Sequence, residues 1–168
     1  QAERLPLHHG QLRVSVQRRG EGCMQPSVAQ LLAMEHARGI DQVASYQRFA
    51  QQTHQLKVDL HRTLKDLRAQ GKRVVGYGAP AKGNTLLGFL EIDSELVPYI
   101  ADRSPLKQGR YTPGTHILVV PPERLLADQP DYVLLLAWNF TEEVLAQQAE
   151  YRQRGGKFII PVPTVQII

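Results

Sequence analysis

Cysteine is the residue that this sequence most clearly lacks. Cys23 is the single cysteine among 168 residues, so no internal disulfide framework can form, and no Cys or His stands near it at zinc-site spacing. We interpret Cys23 as structural or incidental and predict no metal site in this chain. Long apolar runs are also missing, since no stretch approaches the roughly 18 residues of a membrane span and no signal-peptide core opens the chain. We expect a cytoplasmic protein without a membrane partner.

Strong charge of one sign is absent as well. The 20 Lys and Arg against 16 Asp and Glu give a formal net charge of +4. These residues are scattered, without a basic block or interleaved aromatics, so we predict no nucleic-acid partner. An anionic small molecule accounts for the balance equally well. The 42% hydrophobic content suits one ordinary soluble domain with a sizeable core.

The first 71 residues contain a short strand signal followed by helical patterns. "LRVSVQRR" at 12–19 alternates apolar and polar residues as a half-buried strand does. Ser27 is placed to cap a short helix that Gly39 ends. A helix of roughly 30 residues is then predicted from Asp41 to Gly71. Its apolar stripe favours a helix packed partly against this domain and partly against another, and a short coiled-coil seam is the alternative. The stripe consists of Tyr46, Phe49, Thr53, Leu56, Leu60, Leu64 and Leu67.

From residue 72 the sequence alternates between strand and helix patterns. The predicted strands are 72–78, 97–102, 115–120, 131–138 and 157–162, and the predicted helices are 81–92, 121–129 and 141–155. The apolar runs "YVLLLA" and "FIIPV" are typical of strands covered on both faces. We therefore predict an α/β fold with a Rossmann-like, doubly wound, mostly parallel sheet, preceded by a short strand segment and a long N-terminal helix.

The loop "GYGAPAKGNT", residues 76–85, is the strongest candidate for a ligand site. In such sheets ligands bind outside the carboxyl ends of the strands, where this loop begins. Gly76 and Gly78 match the first two glycines of a dinucleotide fingerprint, but Gly83 comes two residues later than the usual third glycine. Lys82 falls in the first helical turn, where its charge opposes the helix dipole unless an anion offsets it. It therefore either contacts a phosphate or points into water.

Polar residues follow the next strands at the same edge of the sheet. Asp102 is placed to accept from a ribose hydroxyl, or to pair with its neighbour Arg103. The long loop 103–116 is of a length that is often functional. It also carries Lys107, Arg110, Tyr111 and His116, and His116 is either a strand-start residue or a catalyst.

Trp138 and Asn139 end the strand "YVLLLAWN" at that edge too. Trp138 is placed to stack on a base or sugar, or to plug the sheet. Asn139 contacts the ligand or caps the helix that follows, since Glu142 stands three residues on.

Three blocks together resemble one family. "GYGAPAKGNTLL", "DRSPLKQGRYTPGTHI" and "PDYVLLLAWNFTEEV" with "YRQRGGKFIIPVP" are similar to the C-terminal domain of S-adenosylmethionine-dependent sugar C-methyltransferases. That family methylates dTDP-linked keto-deoxysugars. "HHGQLR" at 8–13 resembles the family's "HGGSLR", with His8 matching and His9 departing.

The resemblance implies a division of labour within a longer enzyme. A zinc-binding domain and a methyltransferase domain that binds S-adenosylmethionine would precede this chain, leaving it without methyltransferase activity by itself. Residues 1–22 would be remnant strands of the methyltransferase domain, 23–71 docking helices, and 72–168 the C-terminal domain. This domain would close the cleft over the nucleotide sugar. We predict no catalytic residue here and a substrate-binding set of Gly76, Tyr77, Gly78, Ala79, Lys82, Gly83, Asn84, Asp102, Arg103, Lys107, Arg110, His116, Trp138 and Asn139.

Two other functions stay open at this point. The glycine loop is compatible with a stand-alone Rossmann domain that binds NAD(P) or coenzyme A, although the displaced Gly83 weighs against NAD. The long helix is compatible with a packing or dimerisation module whose loop holds no ligand.

Overall fold

The computed structural model describes residues 1–7 and 10–168, which form two compact units. The first unit is Gln1–Thr53 and the second is His54–Ile168, so the boundary falls inside the long helix. The predicted division at residues 22 and 71 stays a prediction. His8 and His9, which carry the "HHGQLR" resemblance, lie outside the described residues.

The first unit contains a β-hairpin, one short helix and the first part of the long helix. Strands β1 (Ala2–Leu5) and β2 (Gln11–Val14) pair antiparallel, and α1 (Pro26–Ala37) follows. The strand expected over 12–19 ends at Val14, because Val14 pairs with Ala2 at the start of β1. The prediction that Ser27 caps the start of α1 was wrong, because the N-cap residue is Gln25. Helix α1 begins one residue earlier, at Pro26, and the Ser27 hydroxyl accepts the Ala2 N–H at 3.2 Å.

Helix α2 (Val43–Ala69) confirms the long helix, which begins two residues later than predicted. Its second half lies in the second unit, where the stripe residues Leu60, Leu64 and Leu67 are buried. Tyr46 and Phe49, from the same stripe in the first unit, are 61% and 68% exposed.

The second unit is built on a six-stranded sheet in the order β5-β4-β3-β6-β7-β8. The strands are β3 (Val74–Tyr77), β4 (Tyr99–Ala101), β5 (Leu118–Val120), β6 (Tyr132–Leu135), β7 (Lys157–Ile160) and β8 (Gln166–Ile167). All neighbours pair in parallel except β7 and β8. This confirms the predicted α/β fold with its mostly parallel sheet. The sequence analysis gave no bounds for β1, which lies within the remnant strands expected over residues 1–22, and it missed β8, which is two residues long.

Helices cover both faces of this sheet. They are α3 (Ala81–Leu90), α4 (Arg124–Asp128), α5 (Thr141–Gln147) and α6 (Ala149–Gln153), with a 3₁₀ turn at Trp138–Phe140 before α5. The single helix predicted over 141–155 was wrong, because the backbone leaves helical geometry at Gln148 (φ −102°, ψ 29°).

Alternate residues of the strands build two separate cores, as the two-residue period of a strand requires. One core packs strand residues against α2 and α3, through Leu64 and Leu87 among others. The other packs them against α4, α5 and α6, where Tyr151 and Phe158 meet edge to face with ring centroids 5.6 Å apart.

The strand order fixes where a ligand site can form. The chain leaves β3 for β4 and β5 on one side, and then crosses to β6 on the other side of β3. Loops therefore diverge between the carboxyl ends of β3 and β6, which opens a crevice there. We call the edge formed by the carboxyl ends of β3, β4 and β6 the crest.

Candidate functional site

The glycine loop after β3 is shaped by close packing against the neighbouring strands. A Cβ on Gly76 would lie 2.7 Å from Ile100 Cγ1, and one on Gly78 would lie 2.8 Å from Ala137 Cβ. Gly78 also has φ +82°, a conformation that L side chains rarely adopt. Its N–H donates to the Ala101 carbonyl at 2.7 Å. Only glycines let the chain turn from β3 this close to β4 and β6.

The displaced third glycine packs α3 against the sheet. A Cβ on Gly83 would lie 2.9 Å from Leu136 Cβ and 3.2 Å from Pro80 Cδ. Close helix-to-strand packing is the role of the third glycine in dinucleotide folds. Here that role is kept although the spacing differs.

Asp102 holds the glycine loop in place. Its carboxylate accepts the Ala79 N–H at 2.6 Å, the Ser104 N–H at 2.8 Å and the Lys107 ammonium at 3.3 Å. Its side chain is buried, whereas that of Lys107 is 43% exposed. The alternative pairing with Arg103 was wrong, since Asp102 pairs with Lys107 and Arg103 faces Glu143.

Lys82 is turned toward residues that follow β6. Its ammonium lies 4.2 Å from the Trp138 ring centroid and donates to Asn139 Oδ1. Partial burial lowers the pKa of Lys82 below its usual value. Within the described part of the chain, no side chain caps the N-terminus of α3, where Lys82 lies, and its first turn holds no acidic residue. The expectation that Asn139 caps α5 was wrong, because that helix starts at Thr141 without a side-chain cap.

A pocket of about 190 Å³ opens at the crest between β3 and β6. We call it the inner recess; it is lined by Tyr77, Gly78, Asp102, Arg103, Ala137, Phe140, Glu143, Val144 and Gln147. The Arg103 guanidinium Nη1 lies 3.9 Å from Glu143 Oε1, and both side chains are largely exposed. The Tyr77 hydroxyl accepts from Gln148 Nε2 at 3.2 Å, and burial raises the pKa of Tyr77.

A second pocket of about 340 Å³, the outer recess, adjoins the inner one. It is lined by Arg103, Pro122, Glu123, Leu126, Gln147 and Gln148. Arg103 and Gln147 line both recesses, and we call the two recesses together the crevice along α5.

The structure brings four of the predicted residues to the inner recess, namely Tyr77, Gly78, Asp102 and Arg103. Lys82, Trp138 and Asn139 form their own cluster beside it. Arg110 and His116 are exposed in the loop before β5, and His116 has φ +51° and precedes the strand by two residues. Asn84 lies in α3 with its Oδ1 buried.

The α5 wall of the inner recess was missed by the sequence analysis. Phe140, Glu143, Val144 and Gln147 stand three and four residues apart, which is the period of one helix face. That period is visible in the sequence, but the sequence analysis considered no face of this helix as part of the site. Among the described residues, no group of three or more His, Cys, Asp or Glu is arranged to hold a metal ion. No helix within residues 1–7 and 10–168 has the length and apolar character needed to cross a membrane.

Comparison with known families decides the assignment of this fold. Residues 6–163 match the family described as "C-methyltransferase C-terminal domain". The chain belongs to the C-methyltransferase C-terminal domain family. It is 37% identical over 145 residues to the C-methyltransferase NovU of Streptomyces niveus, across 86% of this chain and 34% of that relative. This C-methyltransferase C-terminal domain therefore spans about a third of the length of the relative that it matches.

Proposed function

We propose that this domain binds the nucleotide sugar on which a C-methyltransferase acts, a dTDP-linked keto-deoxysugar, and closes the substrate cleft over the methyltransferase domain. Family membership and the similarity to NovU support methyl transfer as the reaction of the longer protein. The observation that carries the proposal is the crevice at the crest, where Arg103 and Gly78 of the glycine loop both line the inner recess. This is where sheets of this topology bind ligands.

The proposed reaction places the chemistry outside this chain. A base removes the proton beside the sugar ketone, donors stabilise the enolate, and S-adenosylmethionine supplies the methyl group when bound. The position of Asp102 does not fit the ribose diol of that cofactor, because its side chain is buried and its carboxylate already accepts from Ala79, Ser104 and Lys107. We propose that the cofactor is held by a methyltransferase domain upstream, and zinc by a further domain. No step of methyl transfer is assigned to residues of this chain.

The diphosphate is proposed to lie across the glycine loop, between Arg103 and the N-terminus of α3. That terminus carries a partial positive charge and has no side-chain cap, so it favours an anion. Burial lowers the pKa of Lys82, because it disfavours the charged form of the ammonium. A diphosphate nearby would favour the charged form of Lys82 and so raise its pKa again. Lys82 would exchange its contact with Asn139 for a phosphate oxygen.

The first part of α2 is the proposed docking surface for the upstream methyltransferase domain. Tyr46 and Phe49 continue the apolar stripe of the buried half of the helix but are themselves mostly exposed. Covering apolar side chains of this size is favourable by roughly 1.5–3 kcal/mol each.

Binding of dTDP by the 168-residue chain tests the ligand proposal. Trp138 is the lone tryptophan, so its emission reports on the crest directly. We expect saturable quenching by dTDP and none by NAD(H), NADP(H) or coenzyme A. Lys82→Ala should weaken dTDP binding about tenfold, which is the scale of losing one charge-assisted contact. Lys157→Ala, an exposed lysine at the opposite end of the sheet, is the control and should leave binding unchanged.

Calorimetry should accompany the fluorescence, because Lys82→Ala also alters the surroundings of Trp138. Binding of NAD(P) or coenzyme A in place of dTDP would favour the stand-alone Rossmann function. An absence of heat and quenching in a folded chain, together with a concentration-dependent mass, would favour the packing module. Methyl transfer catalysed by this chain alone would overturn the division of labour.

A further inference from the structure

We infer that the crevice along α5 holds the nucleoside of the substrate and excludes its phosphates, with Arg103 marking where the first phosphate begins. This inference rests on the proposed function and assigns places within the same site. The inner and outer recesses measure about 190 and 340 Å³. The outer recess alone lies within the range of about 300–1,000 Å³ that small-ligand sites usually have, and the inner recess adds to it.

The charges lining the crevice argue against a phosphate inside it. Glu143 lines the inner recess and Glu123 the outer one. The third carboxylate, Asp102, is already paired with Lys107. Arg103 is the cation among the lining residues, and Glu143 lies 3.9 Å from it. A phosphate in either recess would lie close to a like charge, which disfavours it, whereas an uncharged nucleoside avoids that cost.

The outer recess offers the chemistry that a pyrimidine base requires. Pro122 and Leu126 supply apolar surface for the flat ring, and Gln147 and Gln148 supply amides. The edge of a thymine presents one donor between two acceptors, and an amide side chain can both donate and accept. Gln148 is oriented by its bond from Nε2 to the Tyr77 hydroxyl. We therefore place the base in the outer recess.

The inner recess suits the deoxyribose. The Tyr77 hydroxyl accepts from Gln148, so its own hydrogen can be donated to a sugar oxygen. Burial raises the pKa of Tyr77, which keeps that hydrogen in place at neutral pH. Asp102, at the position that binds a ribose 2′-hydroxyl in dinucleotide folds, is engaged with the loop. A 2′-deoxyribose has no 2′-hydroxyl, so it does not need this carboxylate as an acceptor. From Gly78 in this recess the chain of phosphates would continue toward α3.

Two ligands distinguish binding of the nucleoside from binding of the phosphates. Binding of dTDP and of inorganic pyrophosphate to the 168-residue chain is measured by calorimetry. Leu126→Trp, which fills the outer recess, should weaken dTDP at least tenfold and change pyrophosphate less than twofold. Arg103→Ala should weaken both at least tenfold. Leu96→Trp is the control, because Leu96 is also partly buried but packs in the core on the other face of the sheet.

Gln148→Leu provides a second variant that adds no bulk, in case Leu126→Trp does not fold. It should weaken dTDP about fivefold and leave pyrophosphate unchanged. An equal loss of dTDP and pyrophosphate in either variant would overturn the inference, and so would normal dTDP binding by both. In those cases the proposed function still stands, since the wild-type chain binds dTDP. If the wild-type chain binds neither probe, the proposed function itself fails.

Discussion

Asp102 is predicted to set the shape of the crest, and removing its carboxylate should cost far more than an exposed turn carboxylate does. In Asp102→Ala the Ala79 N–H, on a residue that is 6% exposed, loses its acceptor inside the protein. A hydrogen bond to a charged group is worth about 1.5–3 kcal/mol, and the loss is largest where water cannot replace the acceptor. The Ser104 N–H and the exposed Lys107 together add about 1 kcal/mol, since both can be rehydrated. We expect a loss of about 2.5–4 kcal/mol in the free energy of unfolding.

Asp93 is the matched control, because it makes the same kind of turn at the surface. Its Oδ1 accepts the N–H groups of Glu95 at 2.9 Å and Leu96 at 3.3 Å, and the residue is exposed. Asp93→Ala should cost about 1 kcal/mol, as for a helix-cap carboxylate. Asp102→Asn should fall between the two, because an amide oxygen can still accept one N–H.

Urea unfolding, followed by Trp138 emission and by far-ultraviolet circular dichroism, measures these differences. The emission reports on the second unit, whereas the dichroism reports on all helices. If Asp102→Ala and Asp93→Ala lose the same stability within about 0.5 kcal/mol, burial of the Asp102 contacts does not matter and the reasoning is refuted. Asp102→Ala should also weaken dTDP binding under conditions where it is fully folded, because the loop is no longer held.

Two further predictions concern packing and pH. Gly83→Ala should destabilise the chain by about 1–2 kcal/mol because its Cβ would meet Leu136, whereas Gly88→Ala, with open space around it, should stabilise by about 0.5–1 kcal/mol. Thermal melts of both variants decide this, and shifts in the same direction would contradict it. Burial, aided by Asp128, raises the pKa of Tyr99 to about 12. Since an unfolded tyrosine loses its proton near pH 10, stability falls from about pH 10 to 12. Tyr99→Phe should lessen that fall by about 2 kcal/mol in urea titrations, and a fall as steep as in the wild type would refute the assignment.

The fold could be predicted from the sequence because local signals repeat along it. Strand patterns alternate with helix patterns from residue 72 onward, and the continuous apolar run in "YVLLLA" forms β6, which is buried in the middle of the sheet. Interruptions of helices and very short strands were harder to predict. The interruption at Gln148 has no Gly or Pro to mark it, and β8 is only two residues long.

The candidate residues could be assigned to one edge of the sheet, but their contacts could not be predicted. The glycine loop and Asp102 were identified from their positions after β3 and β4. Which donors reach Asp102 depends on packing, since Ala79 is 23 residues away in the chain. The partners of Lys82 follow β6, with Asn139 being 57 residues away. From the sequence, the helix dipole predicted only that the positive charge of Lys82 is unfavourable there unless an anion offsets it.

Contacts that form only in the folded chain also explain why the basic residues near the crest do not combine into one anion site. The loop 103–116 was expected to gather its cations at the ligand edge, and the sequence offers no way to see which are compensated. In the structure Lys107 is drawn to Asp102 and Arg103 faces Glu143, a residue 40 positions further along the chain. Each cation next to a carboxylate attracts an anion less strongly than its formal charge suggests. The proposed phosphate site therefore has two separate contacts, at Arg103 and at α3, with a crevice of mixed charge beside them.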